Sequence, residues 1–135
     1  MLFLDTNTYS ALASGQPEII SLIQKESILV LPLPVIAELR YGFLKGSQVK
    51  KNEENLQRFL SQSQVEILPP TINTTSLYAE FQLFCVKNGR SLSHNDLWIA
   101  AIVRENDGVL ATYDRDFEAL HDIFLEKLII LQPEH

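Results

Sequence analysis

A single cysteine among 135 residues, Cys85, allows no internal disulfide, so stability must come from a packed core. Cys85 lies in the apolar pattern Leu77-Tyr78, Phe81, Phe84-Cys85, where a small buried hydrophobe is expected. Long apolar runs are missing as well. Only Met1 to Leu4 precede Asp5, with no basic stretch before them, and nothing approaches the ~18 apolar residues that cross a bilayer. No membrane association is expected, and the cytoplasm is the expected compartment. G-x-S-x-G, P-loop and G-x-G-x-x-G patterns are absent, which removes the usual hydrolase, nucleoside-triphosphatase and dinucleotide signatures. The three histidines, His94, His121 and His135, lack metal-ligand spacing and read as surface or capping residues.

Positive charge is scarce: 11 Lys and Arg stand against 17 Asp and Glu, a formal charge of -6. Such a balance argues against coating nucleic acid by bulk electrostatics. Five of the basic residues, Arg40, Lys45, Lys50, Lys51 and Arg58, nevertheless fall within one segment that holds only two further acids after Glu38, Glu53 and Glu54. That segment suits a phosphate backbone, although a solvated helical face explains it equally well.

With 46% hydrophobic and 21% charged residues, the remainder reads as one globular domain over residues 1–135. Apolar or β-branched runs predict strands at Leu2–Leu4, Ile28–Leu31, Val65–Leu68, Val109–Thr112 and Lys127–Leu131. Helical periodicity and stop signals predict helices between them, among them Pro34 to Gly46, Val49 to Ser61, Asn73 to Lys87, Ser93 to Asn106 and a short one from Phe117 to Phe124. Strands alternating with helices imply a mostly parallel five-stranded sheet between two helical layers, an α/β/α sandwich.

Four acids stand out against this frame. Asp5 and Asp114 follow strand-like segments, Glu38 lies in an otherwise apolar helix, and Asp96 falls in the first turn of another. Each has an innocent reading: Asp5 and Asp114 as helix caps, Asp96 as the acid of a capping box with Ser93, and Glu38 as a solvated flank residue. Parallel strands, however, put the ends carrying Asp5 and Asp114 at one sheet edge, where ligands bind in open α/β sheets. The helices bearing Glu38 and Asp96 begin at that edge too. Four crowded carboxylates persist as anions when a cation neutralises them, and oxygen donors favour Mg²⁺ or Mn²⁺ over zinc.

The strings Leu4-Asp5-Thr6-Asn7, Pro34-Val35-Ile36-Ala37-Glu38-Leu39-Arg40-Tyr41-Gly42, Asn95-Asp96-Leu97-Trp98-Ile99-Ala100-Ala101 and Thr112-Tyr113-Asp114-Arg115-Asp116-Phe117 resemble, in order and spacing, the four acidic motifs of PIN-domain ribonucleases. They are most similar to the VapC-type toxins of bacterial type II toxin–antitoxin pairs. The resemblance implies an endoribonuclease using one or two Mg²⁺ or Mn²⁺ ions held by Asp5, Glu38, Asp96 and Asp114, with Asp116 an alternative last ligand. It further implies Asn7 and Thr112 as supporting polar residues, a cognate antitoxin covering the active groove, and a homodimer. Arg40, Lys45, Lys50 and Lys51 are the candidates for holding the RNA backbone, and the apolar side of the Val49 to Ser61 helix is a candidate contact surface.

Three rivals accompany this reading. Asp5-Thr6-Asn7-Thr8 is similar to the opening of haloacid dehalogenase-type phosphatases, but Asn7 stands where their general-acid Asp is required. A non-catalytic PIN-like binding module would tolerate loss of the acids, and all four are present. A PIN nuclease of RNA maturation is the third, against which the short chain favours the toxin.

Overall fold

The structure is a computed structural model that describes residues 1–133. Five parallel strands form one sheet: β1 (Leu2–Leu4), β2 (Leu29–Pro32), β3 (Val65–Leu68), β4 (Val109–Thr112) and β5 (Leu128–Ile130), in the order β3-β2-β1-β4-β5. The expected mostly parallel α/β architecture is therefore borne out, and every strand pair is parallel. Leu2, Phe3 and Leu4 are fully out of contact with solvent, as are Val30, Leu31, Leu110 and Ala111. That explains why the central strands read as continuous apolar runs rather than alternating ones.

Among the described residues seven α-helices connect the strands: α1 (Thr6–Ala13) and α2 (Pro17–Ile23), α3 (Leu33–Lys45) and α4 (Val49–Leu60), α5 (Ile72–Lys87) and α6 (His94–Glu105), and the short α7 (His121–Phe124). The chain moves outward from β1 through β2 to β3, then crosses back to β4 on the far side of β1. Right-handed crossovers accordingly place α1–α4 on one face and α5–α7 on the other. Side-chain packing follows: Tyr9 of α1 meets Phe59 of α4 edge-on, and Phe81 of α5 meets Phe124 of α7. The reversal of direction lies between β1 and β4, which makes their carboxyl ends the topological switch point of the sheet.

Several expectations are corrected in detail. The segment after β4 is not one short helix but a 3₁₀ turn, Arg115–Leu120, followed by α7. Pro32 closes β2 rather than breaking it, and α3 starts at the next residue, with Pro34 in its first turn. At the end of α6 Asp107 takes the left-handed conformation (φ 53°), a role that Gly108 does not fill. Gly108 is required for another reason: a Cβ there would lie 2.2 Å from the buried Phe3 ring. The apolar side of α4 is used internally, with Leu56 fully buried and Phe59 and Leu60 packed on the core, so it is not a free contact surface. Cys85 is buried as expected, whereas His94 and His121 are exposed. His135 lies outside the described residues.

Candidate active site

Asp5 stands one residue beyond β1 and is almost wholly buried. Its Oδ1 accepts from the backbone N–H of Thr8 at 3.0 Å and from the Thr8 hydroxyl at 2.6 Å, which caps α1. Its Oδ2 accepts from the hydroxyl of Thr112, the last residue of β4, at 2.5 Å. The helix-cap reading of Asp5 is thus correct but incomplete, because the same carboxylate is locked across the β1–β4 switch point. Burial pushes its pKa above the ordinary range, the Thr112 and Thr8 hydrogen bonds oppose this, and the Asp114 charge adds to the rise.

Asp114 likewise caps its own turn, with Oδ1 accepting from the N–H of Asp116 at 2.9 Å. Its backbone N–H donates to Thr112 Oγ1, so Thr112 ties both strand-end acids together. Tyr113 anchors the same loop by donating to Glu18 Oε1 at 2.6 Å. Glu38 is exposed on α3 and accepts from the Thr6 hydroxyl at 3.0 Å.

Asp96 departs from the capping-box expectation. Its backbone N–H donates to Ser93 Oγ at 3.1 Å, but among the described residues the reciprocal bond from the Ser93 backbone N–H to its carboxylate is absent. Asp96 lines the same cleft as the other acids. Its pKa is pushed up to about 6, first by burial and then by the charges of Asp114, Glu38 and Asp5, with the Ser93 hydroxyl easing the rise. Asp96 therefore feels all three other carboxylates.

These four acids, with Thr6, Asn7, Ser93 and Ile99, line one cleft of about 200 Å³. No Lys or Arg is among its walls, so its charge is uncompensated by the protein. Among the described residues no three Asp, Glu, His or Cys groups are closed into a ligand cage. The donor set is all oxygen and anionic, which suits a hard divalent cation.

The remaining predicted residues divide. Asn7 is exposed at the rim, and Thr112 is a buried brace. Asp116 is exposed and outside the cleft wall, so geometry favours Asp114 for the last position. Arg40, expected to flank Glu38, lies two positions along and thus on another side of the helix, where its Nε donates to Glu53 at 2.8 Å. Lys45 sits over the Tyr41 ring at 4.6 Å from its centroid, and Lys50 lines neither the cleft nor the groove beside it. Lys51 does line that groove, a depression of about 560 Å³ that shares Thr6 and Glu38 with the acid cleft. Asn52 and Asn55, which sequence reasoning missed, line it too. Their spacing with Lys51 on one helical face was the available signal.

Residues 2–122 match the family model described as the PIN domain. The chain belongs to the PIN-domain family. This PIN domain is 30% identical over 117 residues to Ribonuclease VapC5 of Mycobacterium tuberculosis, covering 87% of this chain and 85% of that protein. It is 27% identical to Ribonuclease VapC2 of Rickettsia felis, over 91% and 94% of the two chains. Among solved structures it superimposes on a chain of VapBC2 from Rickettsia felis bound to a promoter DNA fragment, with TM-score 0.77, 25% identity and coverage of 99% and 100%. A chain of VapBC-1 from nontypeable Haemophilus influenzae shares the fold at TM-score 0.78, with 24% identity and 98% of each chain covered. The resemblance read from the four acidic strings is borne out at the level of family and fold. None of the helices among the described residues is long and apolar enough to cross a membrane.

Proposed function

We propose that this PIN domain is a divalent-metal-dependent endoribonuclease and the toxin of a type II toxin–antitoxin pair. The observation that carries the reading is the convergence of Asp5, Glu38, Asp96 and Asp114, from four separate parts of the chain, on one cleft without a basic wall residue. RNA as the substrate class is supported by the relatives named VapC ribonucleases, and an antitoxin as partner by a structural neighbour, VapBC-5 of Mycobacterium tuberculosis, described as a member of the VapBC family of toxin-antitoxin systems. A homodimer belongs to the same reading.

Asp5, Glu38, Asp96 and Asp114 would hold one or two Mg²⁺ or Mn²⁺ ions. Such a cation supplies Lewis-acid activation of water and neutralises charge at the scissile phosphodiester. The protein's own part is placement and charge. Thr8 and Thr112 fix the Asp5 carboxylate by direct hydrogen bonds, and Thr112 also positions the Asp114 backbone. Asp96, poised at about 6, is mostly ionised at neutral pH and becomes protonated in mild acid, so the acidic set is complete only above that pH. RNA, a polyanion, is repelled by the bare cleft. Binding at the scissile position therefore requires the cation's charge.

The test is RNA cleavage by the purified protein with Mg²⁺ or Mn²⁺, with and without chelator, alongside Asp5→Asn and Asp96→Asn. Cleavage should require the metal and fall by several orders of magnitude in both variants, with folding intact by circular dichroism. Equal cleavage by either variant at saturating metal would reject the quartet.

A further inference from the structure

The acid cleft is the end of a longer channel. The groove beside it shares Thr6 and Glu38 with the cleft, and a third depression of about 300 Å³ shares Tyr9, Ala13 and Asn55 with that groove. Together they run along α1 and α4, with α3 forming part of the wall nearest the acids. One face of α4 and the turn after it furnishes Lys51, Asn55, Arg58 and Gln62, spaced four, three and four residues apart and so aligned on a single stripe. Beyond Glu38, Lys51 and Arg58 are the charged residues among those walls, and both are cations. In a chain of net charge -6, the two cations outnumber the one acid along this channel. Glu53, whose charge reaches Tyr9, is paired with Arg40 and stands outside the lining.

Asn55 is held in a defined orientation. Arg58 Nη1 donates to Asn55 Oδ1 at 3.1 Å, and a guanidinium has no acceptor, so the amide must offer its oxygen to Arg58 and keep its NH₂ for the channel. A cation, an oriented amide donor and a second cation then follow one another away from the acids. Lys51 and Arg58 are two turns apart, about 10 Å along the axis, the length of about three nucleotides at ~3.4 Å per stacked base.

We propose that the α1–α4 channel binds the single strand of RNA flanking the scissile phosphodiester, with Lys51 and Arg58 on backbone phosphates and Asn55 reading an acceptor on a base edge. Asn55 is thereby a specificity-determining residue. The inference rests on the nuclease reading for its substrate, and charge and continuity with the cleft favour RNA over a protein segment as the occupant.

The experiment combines steady-state cleavage of fluorescein-labelled single-stranded oligoribonucleotides and a randomised RNA pool, in Mg²⁺, with anisotropy binding of the same oligonucleotides to the Asp96→Asn protein. Lys51→Ala and Arg58→Ala should each raise KM about tenfold, the worth of one charge-assisted hydrogen bond, with the loss carried by KM rather than kcat. Each should also reduce the salt slope of log binding by about 0.7, one phosphate contact on a single strand. Asn55→Ala should reduce discrimination at one flanking position by about tenfold. These side chains line an open channel, and unchanged melting curves will confirm folding, with Lys51→Glu as a second variant expected to exceed Lys51→Ala. Wild-type cleavage with KM, salt slope and site preference unaltered in all the variants would overturn the channel proposal, leave the nuclease reading standing and assign the stripe to a protein partner. Wild-type binding with the predicted slopes but no cleavage would support the channel and defeat the nuclease reading.

Discussion

Replacing Asp96 by Asn should make the metal-free protein more stable while removing its activity. In the folded chain the Asp96 carboxyl is raised from 3.8 to about 6 by burial and by Asp114, Glu38 and Asp5. Ionisation therefore opposes folding. Below the unfolded value the group is protonated in both states and exerts no penalty; the penalty grows as pH rises and is complete above about 6. The full shift corresponds to at most about 3 kcal/mol. The side chain is only partly buried, and solvent screening reduces that to about 1–1.5 kcal/mol. Asp96→Asn removes the charge, so in chelator at pH 8 it should melt about 3–6 °C above wild type. At pH 3.5 the two should coincide. Adding Mg²⁺ should raise the wild-type melting temperature and narrow the gap, because a ligand that binds only the folded state stabilises it. Thermal melts at the two pH values, with chelator and with Mg²⁺, check all of this. A variant no more stable than wild type at pH 8 in chelator would refute the penalty on the Asp96 charge, set first by burial and then by Asp114, Glu38 and Asp5.

Thr112→Val should destabilise the protein by about 2 kcal/mol, since it strips a donor from Asp5 Oδ2 and an acceptor from the Asp114 backbone in a buried setting. Urea denaturation would measure it, and an unchanged midpoint would show the brace to be idle. Gly108→Ala, which drives a methyl group into the fully buried Phe3 ring, should cost about 1–3 kcal/mol by the same measurement; wild-type stability would mean that the ring has room to move. Arg40→Ala breaks an exposed ion pair with Glu53 and should change stability by less than about 1 kcal/mol and leave RNA affinity intact, whereas a large loss of affinity in a binding titration would return Arg40 to the RNA path.

The sheet was legible because a buried parallel strand reads as a near-continuous apolar run, as Leu2–Leu4 does throughout and Val109–Thr112 does up to its last residue. The direction of those strands then put Asp5 and Asp114 at one edge without any knowledge of side-chain placement. What sequence could not separate was cap from cluster, since Asp5 and Asp114 do both: one carboxylate oxygen satisfies a helix amino terminus while the residue as a whole faces the cleft. Capping and clustering are compatible because a cap needs one acceptor and a carboxylate carries two. Asp96 differs from those two in lacking the reciprocal capping bond, and it shares the cleft with the other three acids. The basic residues were less legible for a different reason. A cluster counted along the sequence ignores the 100° step of the helix, which sends Arg40 to Glu53, Lys45 to Tyr41 and Lys51 into the groove. Proximity in sequence on a helix is a poor guide to shared function at a separation of two residues, as between Glu38 and Arg40, and a good one at three, four and seven. That geometry makes the stripe through Lys51, Asn55 and Arg58 a stronger footprint for a polyanion than the five-residue basic count that first suggested one.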